Sequence, residues 1–388
     1  MNNRRIIVVM QHDMMDYPPM ISLIDILHDL GENVIYIGDY SESPTTTRFK
    51  NIGIQLIKLT YPRTGNILQK ILNNRRYKNN LDQILNELKI CENDIVWYVY
   101  SETANFVHKI LKKYKYLVHF YEYPKAKNNW KYRLMYHSFN QKILAQNAVG
   151  IVQCEYNRAQ IYRALNELEK SPFVLPNKPY TSNNAIEDAP ENIKKIIQTV
   201  KVRVRGKRVV LYQGYFESKQ RKLEEFCEAI NKMNSNYVMI AMGKGPEGYF
   251  DQLKKKYESE KIVFIPFIIP PYHLQITELA SIGVLTYSPS YLAHEGVINV
   301  LYCAPNKIFE YSRYGKPMIA NNVPGLKYIF QEYHCGAILD YPITSESIIE
   351  VLEKIFDNYS EYSEGAYKYY NSVDLQIIVK NILSELFR

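Results

Sequence analysis

Short apolar runs alternate with stretches of helical spacing along most of the chain. Ile6–Met10 is apolar and β-branched, as expected of a strand buried on both faces. Pro19–Leu30 has helical spacing, with Ile21, Ile24, Leu27 and His28 near one face, and Gly31 stops it. Further strands are predicted at Asn33–Ile37, Ile54–Leu59, Ile95–Val99, Tyr116–Phe120 and Gly150–Cys154, with helical stretches between them. This is the strand–helix rhythm of a parallel sheet.

Leu175–Pro190 breaks the rhythm with Pro176, Pro179 and Pro190 among Asn, Ser and Thr, which reads as a crossing between domains. It then resumes, with strands expected at Arg208–Tyr212, Tyr237–Met242, Ile262–Phe264, Ala280–Leu285 and Met318–Ala320 and a helix at Leu223–Lys232. A last helix, Asp374–Phe387, carries Ile377, Ile378, Ile382 and Leu386 as apolar anchors. The expected architecture is α/β with two Rossmann-like parallel-sheet domains, 1–175 and 176–373, and helix 374–388 packing back onto the first. Two such domains face a cleft, and open parallel sheets bind ligands beyond their strand carboxyl ends.

The 388 residues carry a net charge of +8. Up to Leu175 there are 23 Lys and Arg against 16 Asp and Glu, and beyond it 25 against 24, so the excess divides as +7 and +1. The first half therefore favours an anionic partner or surface. No recognised nucleic-acid module accompanies the charge, and nucleic acid is not an expected partner. Cys91, Cys154, Cys227, Cys303 and Cys335 form no close pair, which argues against a disulfide framework or a Cys-rich zinc site. The N-terminal apolar run is too short for a signal peptide, and no apolar run is long enough to span a membrane. A cytoplasmic protein is expected, with contact at the inner face of the membrane open. Asn66–Leu88 bears on that contact. Its apolar positions have helical spacing, with Lys70, Arg75, Arg76 and Lys78 among them, so it reads either as core packing or as an interfacial helix.

Known short motifs exclude several chemistries. The glycines after Tyr237–Met242, beginning with Gly243, lack dinucleotide-fingerprint spacing, and there is no P-loop and no HExxH. Gly243 reads either as a simple turn or as part of a strand-end loop near a ligand. The eight histidines are scattered and form no metal-ligand pattern. No metal is expected, although an ion held by ligand phosphates leaves little trace in a sequence. The most informative segment is Ala304–Gly325. Pro305 and Asn306 open a helix expected over Lys307–Tyr314, Gly315 ends it, and Pro317 prevents its continuation. Lys307 and Glu310 share a face. A first-turn lysine beside free backbone N–H groups suits a diphosphate, and a carboxylate one turn on suits a ribose diol. The alternative is a surface Lys–Glu pair.

Pro305-Asn306-Lys307-Ile308-Phe309-Glu310-Tyr311, the following Gly315-Lys316-Pro317-Met318-Ile319-Ala320, and Tyr212-Gln213-Gly214 upstream resemble bacterial glycosyltransferases of the GT-B fold. The match is to the family 4-like polysaccharide and cell-wall branch with a PNKxFEY signature. Arg221-Lys222-Leu223-Glu224-Glu225 and the Pro176-Asn177 turn extend it. The resemblance implies that the C-terminal domain binds a nucleotide sugar, with Glu310 on the ribose and Arg221 and Lys307 on the diphosphate. Lys219 is the alternative to Arg221. An earlier glutamate found in many relatives is replaced here by Tyr302, which leaves Asn299, or Glu295 less securely, to meet the donor sugar.

The N-terminal domain is then expected to take the acceptor. Glu122, after the Tyr116–Phe120 strand, matches an acidic position, and His119 lies three residues earlier. Glu122 is the candidate acceptor contact or base. His119 is either catalytic or packed. Asp13 and Tyr17 either meet the acceptor or fix their own segment, which is expected to be a loop starting at Gln11.

The implied activity is transfer from a nucleotide sugar, with uracil as the expected base, to a hydroxyl of a glycan or lipid-linked glycan. Retention of configuration is implied, and Glu122 keeps inversion open. No permanently bound cofactor is expected. Alternatives are a catalytically degenerate glycan- or partner-binding protein, and an epimerase or phosphorylase on the same frame. Donor sugar, linkage and oligomeric state are not legible.

Overall fold

The computed structural model describes residues 4–62, 65–101, 104–124, 141–180, 189–217, 220–289 and 296–387. The chain divides into two compact units, Met1–Glu187 with Asp374–Arg388 and Asp188–Val373. The division falls after Glu187 rather than after Leu175, because Pro176–Tyr180 stays with the first unit. There the Tyr180 N–H donates to Ser22 Oγ at 2.9 Å and its hydroxyl to Asp29 Oδ2 at 2.6 Å.

The first unit holds a seven-stranded parallel sheet of order β3-β2-β1-β4-β5-β6-β7. Its strands are β1 (Arg5–Asp13), β2 (Asn33–Asp39), β3 (Gln55–Lys58), β4 (Ile95–Val99), β5 (Tyr116–Phe120), β6 (Gly150–Gln153) and β7 (Phe173–Val174). β1, β4 and β5 are buried almost throughout, as their continuous apolar runs require. β1 runs further than its apolar core. Gln11, His12 and Asp13, expected in a loop, belong to the strand, with an irregularity before Asp13 pairs with Asp39. Gly38 makes this possible, since a Cβ there would collide with the Met10 carbonyl oxygen.

Helix Leu375–Leu386 completes this unit. Asp374 caps its N-terminus, and Leu375, Val379, Ile382, Leu383 and Leu386 are its buried positions. Helix Ile67–Glu87 starts at a capping box between Asn66 and Gln69. Tyr77, Leu81 and Leu85 bury its later turns, whereas Leu68 and Leu72 are 72% and 50% exposed beside exposed Arg75 and Arg76.

The second unit holds a six-stranded parallel sheet of order β10-β9-β8-β11-β12-β13. Its strands are β8 (Arg208–Tyr215), β9 (Tyr237–Lys244), β10 (Ile262–Pro266), β11 (Ile282–Leu285), β12 (Met318–Asn321) and β13 (Gly336–Leu339). One core layer contains Val209, Leu211, Ile308 and Tyr311, and the opposite layer contains Val210, Tyr212, Leu223 and Phe226. The alternation along β8 therefore sends Gln213 to the side where helix Asn306–Arg313 packs. That helix is seated by Tyr311, whose ring lies where a Cβ on Gly283 would be and whose hydroxyl donates to Leu211 O at 3.1 Å.

Candidate functional site

The carboxyl ends of β8, β11 and β12 and the start of helix Asn306–Arg313 gather a set of polar and aromatic side chains. Glu310 is buried on this helix. Gln213, near the end of β8, donates from Nε2 to Glu310 Oε2 at 2.5 Å. The His273 Nε2 lies 3.1 Å from Glu310 Oε1. Thr277 Oγ1 donates to the Gln213 Oε1 at 2.8 Å, so both ends of the amide are used. Burial pushes the Glu310 carboxyl up, but His273, the Gln213 amide and nearby Lys307 more than offset it, and its pKa is lowered. Glu310 is therefore a carboxylate, held from two sides rather than paired on the surface.

Lys307 stands in the first turn of the same helix, which Pro305 opens without a side-chain cap. Its Nζ lies 4.5 Å from the Tyr212 ring centre and 5.3 Å from that of Tyr287. Gly214 leaves room for it, since a Cβ there would come within 3.1 Å of this ammonium. Arg221 is buried, with its guanidinium 4.1 Å from the Tyr287 ring centre and its Nη1 donating to Thr286 O at 3.3 Å. Thr286 Oγ1 donates to Arg221 O at 2.5 Å, and Ser288 N to Gln220 O at 2.9 Å. These bonds stitch the segment after β8 to the segment after β11. Tyr287 is thus a shared platform for both cations.

Asn321, the last residue of β12, fixes that platform. Its Oδ1 accepts from Tyr287 N at 2.6 Å, and its Nδ2 donates to Tyr287 O at 3.0 Å and to the Tyr341 hydroxyl at 2.8 Å. A single buried amide thus replaces a strand neighbour for one residue of backbone.

Of the residues expected here, Lys307 and Glu310 lie on one helix, and Lys307 and Arg221 meet at Tyr287. Asn299 is buried on helix Val297–Leu301. Gly243 has a backbone role, because a Cβ there would collide with Gly214 O and hold β8 and β9 apart. Lys219 and Glu295 lie outside the described residues. Gln213, His273, Thr277, Tyr287 and Asn321 were not foreseen as site residues. Two had a signal: Gln213 and Asn321 are polar residues closing otherwise apolar parallel strands, VVLYQ and MIAN.

At the strand ends of the first unit the arrangement is different. His119 is buried, and its Nδ1 accepts from Trp97 Nε1 at 3.3 Å. This leaves the hydrogen on Nε2, and burial pushes the imidazole down to about 3. His119 is consequently a neutral donor here rather than a base. Its ring packs edge-on against Tyr121, which stacks on Tyr17, which in turn stacks on His12. Asp13 fixes its own segment, accepting from Met15 N at 2.8 Å and Ser41 Oγ at 2.5 Å. Glu122 is exposed just beyond β5. Among the described residues, no group of three or more His, Cys, Asp and Glu is arranged to hold a metal ion, and no helix is long and apolar enough to cross a membrane.

Residues 207–358, which contain the whole Glu310 network, match the family model described as glycosyl transferases group 1. No curated protein matches the chain in sequence. Solved structures match over nearly the full length. HepE of Anabaena, in complex with UDP and glucose, is 14% identical over 98% of this chain and 99% of its own, with a TM-score of 0.66. A glycosyltransferase of Rickettsia africae is 14% identical over 100% of both chains, also at 0.66. WaaG, a glycosyltransferase involved in lipopolysaccharide biosynthesis, is 13% identical over 98% of both chains, at 0.61. Two parallel-sheet units of this order and full-length likeness make the fold GT-B.

Proposed function

We propose that the protein is a glycosyltransferase that moves a sugar from a nucleotide-sugar donor to a hydroxyl of a glycan or lipid-linked glycan. The observation that carries this reading is the buried Glu310 carboxylate, one turn after Lys307 at an uncapped helix start, inside the region matching the glycosyltransferase model. Glu310 receives the ribose hydroxyls. Lys307, with Arg221 behind Tyr287, meets the diphosphate and stabilises the charge that grows on it as the glycosyl bond breaks. Asn299 contacts the donor sugar, and the first unit takes the acceptor near Glu122. UDP is the proposed nucleotide, supported by the UDP and UDP-glucose complexes of HepE. Transfer proceeds with retention, in keeping with the resemblance to family 4. The protein acts on the cytoplasmic side of a membrane, and helix Ile67–Glu87 meets anionic headgroups through Leu68 and Leu72 with Lys70, Arg75 and Arg76.

A panel of UDP- and GDP-sugars, with mass detection of released nucleotide and trapped product, tests the reading. Product from a UDP-sugar supports it. Nucleotide binding without transfer to any acceptor would instead favour a degenerate binding protein. No binding of either nucleotide would overturn it.

A further inference from the structure

We propose that Gln213, braced by Thr277, makes the nucleotide site discriminate a vicinal diol from a single hydroxyl. The inference rests on the reading of Glu310 as the ribose-binding carboxylate. An ionised carboxylate offers about four acceptor positions, two on each oxygen. Gln213 occupies one on Oε2 and His273 one on Oε1. One position is left on each oxygen, and two adjacent hydroxyls of a ribose fill that pair together.

The pair is useful only while the carboxylate is prevented from turning. The terminal torsion of a glutamate is broad, and a freely turning carboxylate would present its oxygens singly. The two donors come from separate elements, β8 and the residue preceding helix Leu274–Thr277, so they grip the group from independent supports. The Gln213 amide can itself turn over. A turned amide would set its oxygen against Glu310 Oε2 and drive the carboxylate away. The carboxylate, which only accepts, selects the nitrogen end, and Thr277 braces that orientation by donating to the Gln213 oxygen at 2.8 Å. The same hydroxyl lies 3.3 Å from the His273 carbonyl oxygen. Thr277 is fully buried and Gln213 nearly so, and the amide oxygen has no other described partner to take if Thr277 is lost. Both are positioning residues acting through Glu310.

The test measures affinities for UDP and 2′-deoxy-UDP, and for the corresponding GDP pair, in the wild type and in Thr277→Val, Thr277→Ser and Gln213→Leu. The wild type is expected to prefer the ribonucleotide by about tenfold or more, because a site built to pair a hydroxyl is left unpaired by its absence. Thr277→Val and Gln213→Leu should bring the preference to within about threefold, and Thr277→Ser should restore it. A purely structural role would lower both affinities together and leave their ratio unchanged. A wild-type ratio retained in both Thr277→Val and Gln213→Leu overturns the relay while leaving Glu310 in place. Equal binding of both nucleotides by the wild type overturns the role of Glu310, and the relay with it.

Discussion

The strand ends of the two sheets are built differently. In the second unit the buried polar groups around Glu310 and Tyr287 are mostly joined to one another, with His273 Nδ1 and Ser288 Oγ left over among the described residues. Thr277 holds Gln213, Gln213 and His273 hold Glu310, and Asn321 holds the backbone of Tyr287 beneath Arg221 and Lys307. In the first unit, aromatic rings from His12 to Trp97 are packed in series, and polar atoms are left over. Neither His119 Nε2 nor the amide of Gln153 meets a hydrogen-bond partner among the described residues. A buried donor without a partner is costly, so the second arrangement is one that a ligand or water can complete. The Glu310 cluster is largely held by its own bonds, whereas the His119 cluster leaves a whole amide and an imidazole nitrogen open to a ligand or water.

The strongest way to break this comparison is Asn321→Leu. It leaves the N–H and C=O of Tyr287 unpaired, at about 1–3 kcal/mol for each group. Chemical denaturation should show the loss, and UDP affinity should fall as the platform under the two cations loosens.

The first unit offers the next largest effect. The folded pKa of His119 lies near 3, below an unfolded value near 6.5, so its contribution is fully present above about pH 6.5 and is lost as pH falls toward 3. By pH 4 the loss is about 3 kcal/mol. His119→Gln, which does not titrate, should flatten the acid limb of a melting-temperature profile. An unchanged limb would mean that His119 is not held neutral.

Glu310→Gln should weaken UDP binding by about 1.5–3 kcal/mol in calorimetric titration, since a charge-assisted pair becomes neutral. Unchanged affinity would remove Glu310 from the site. Lys307→Ala should weaken UDP by about tenfold and uridine far less if, as proposed, the ammonium meets the phosphates and not the base. Arg221→Ala should weaken both ligands and lower stability as well, since its guanidinium is part of the packing on Tyr287.

The smallest effects belong to the helix Ile67–Glu87. Charge reversal at Arg75, Arg76 and Lys78 should reduce co-sedimentation with anionic vesicles by about 1 kcal/mol per residue, less at high salt, and leave UDP binding intact. Equal sedimentation with neutral vesicles would overturn the electrostatic account of this helix.

The sheet was legible in the sequence wherever burial on both faces forced an unbroken apolar run, as in Ile6–Met10, Ile95–Val99 and Tyr116–Phe120. The short edge strands Phe173–Val174 and Gly336–Leu339 were not, because a brief apolar stretch has no period of its own. Within the site, Lys307 and Glu310 could be read because one helix carries both, three residues apart. His273 and Thr277 could not, since only the folded sheet brings them to Glu310 from across 37 and 33 positions of sequence. The burial of Arg221 could not be read from the sequence. Nothing in its neighbours signals that Tyr287, from another strand end, will cover it.

The return of the last helix to the first unit has a consequence for synthesis. Residues 188–373 leave the ribosome as a complete unit, while the first sheet still lacks Leu375, Val379, Ile382 and Leu386. Phe387 is met by Arg4 and Lys115, and Leu386 lies over Gly150, so strands of the first sheet await residues made after the second unit. The nascent chain therefore carries an uncovered apolar face for the whole time that the second unit takes to be made. A premature stop near residue 373 would leave the Glu310 network whole in sequence and the neighbouring unit open to aggregation or proteolysis.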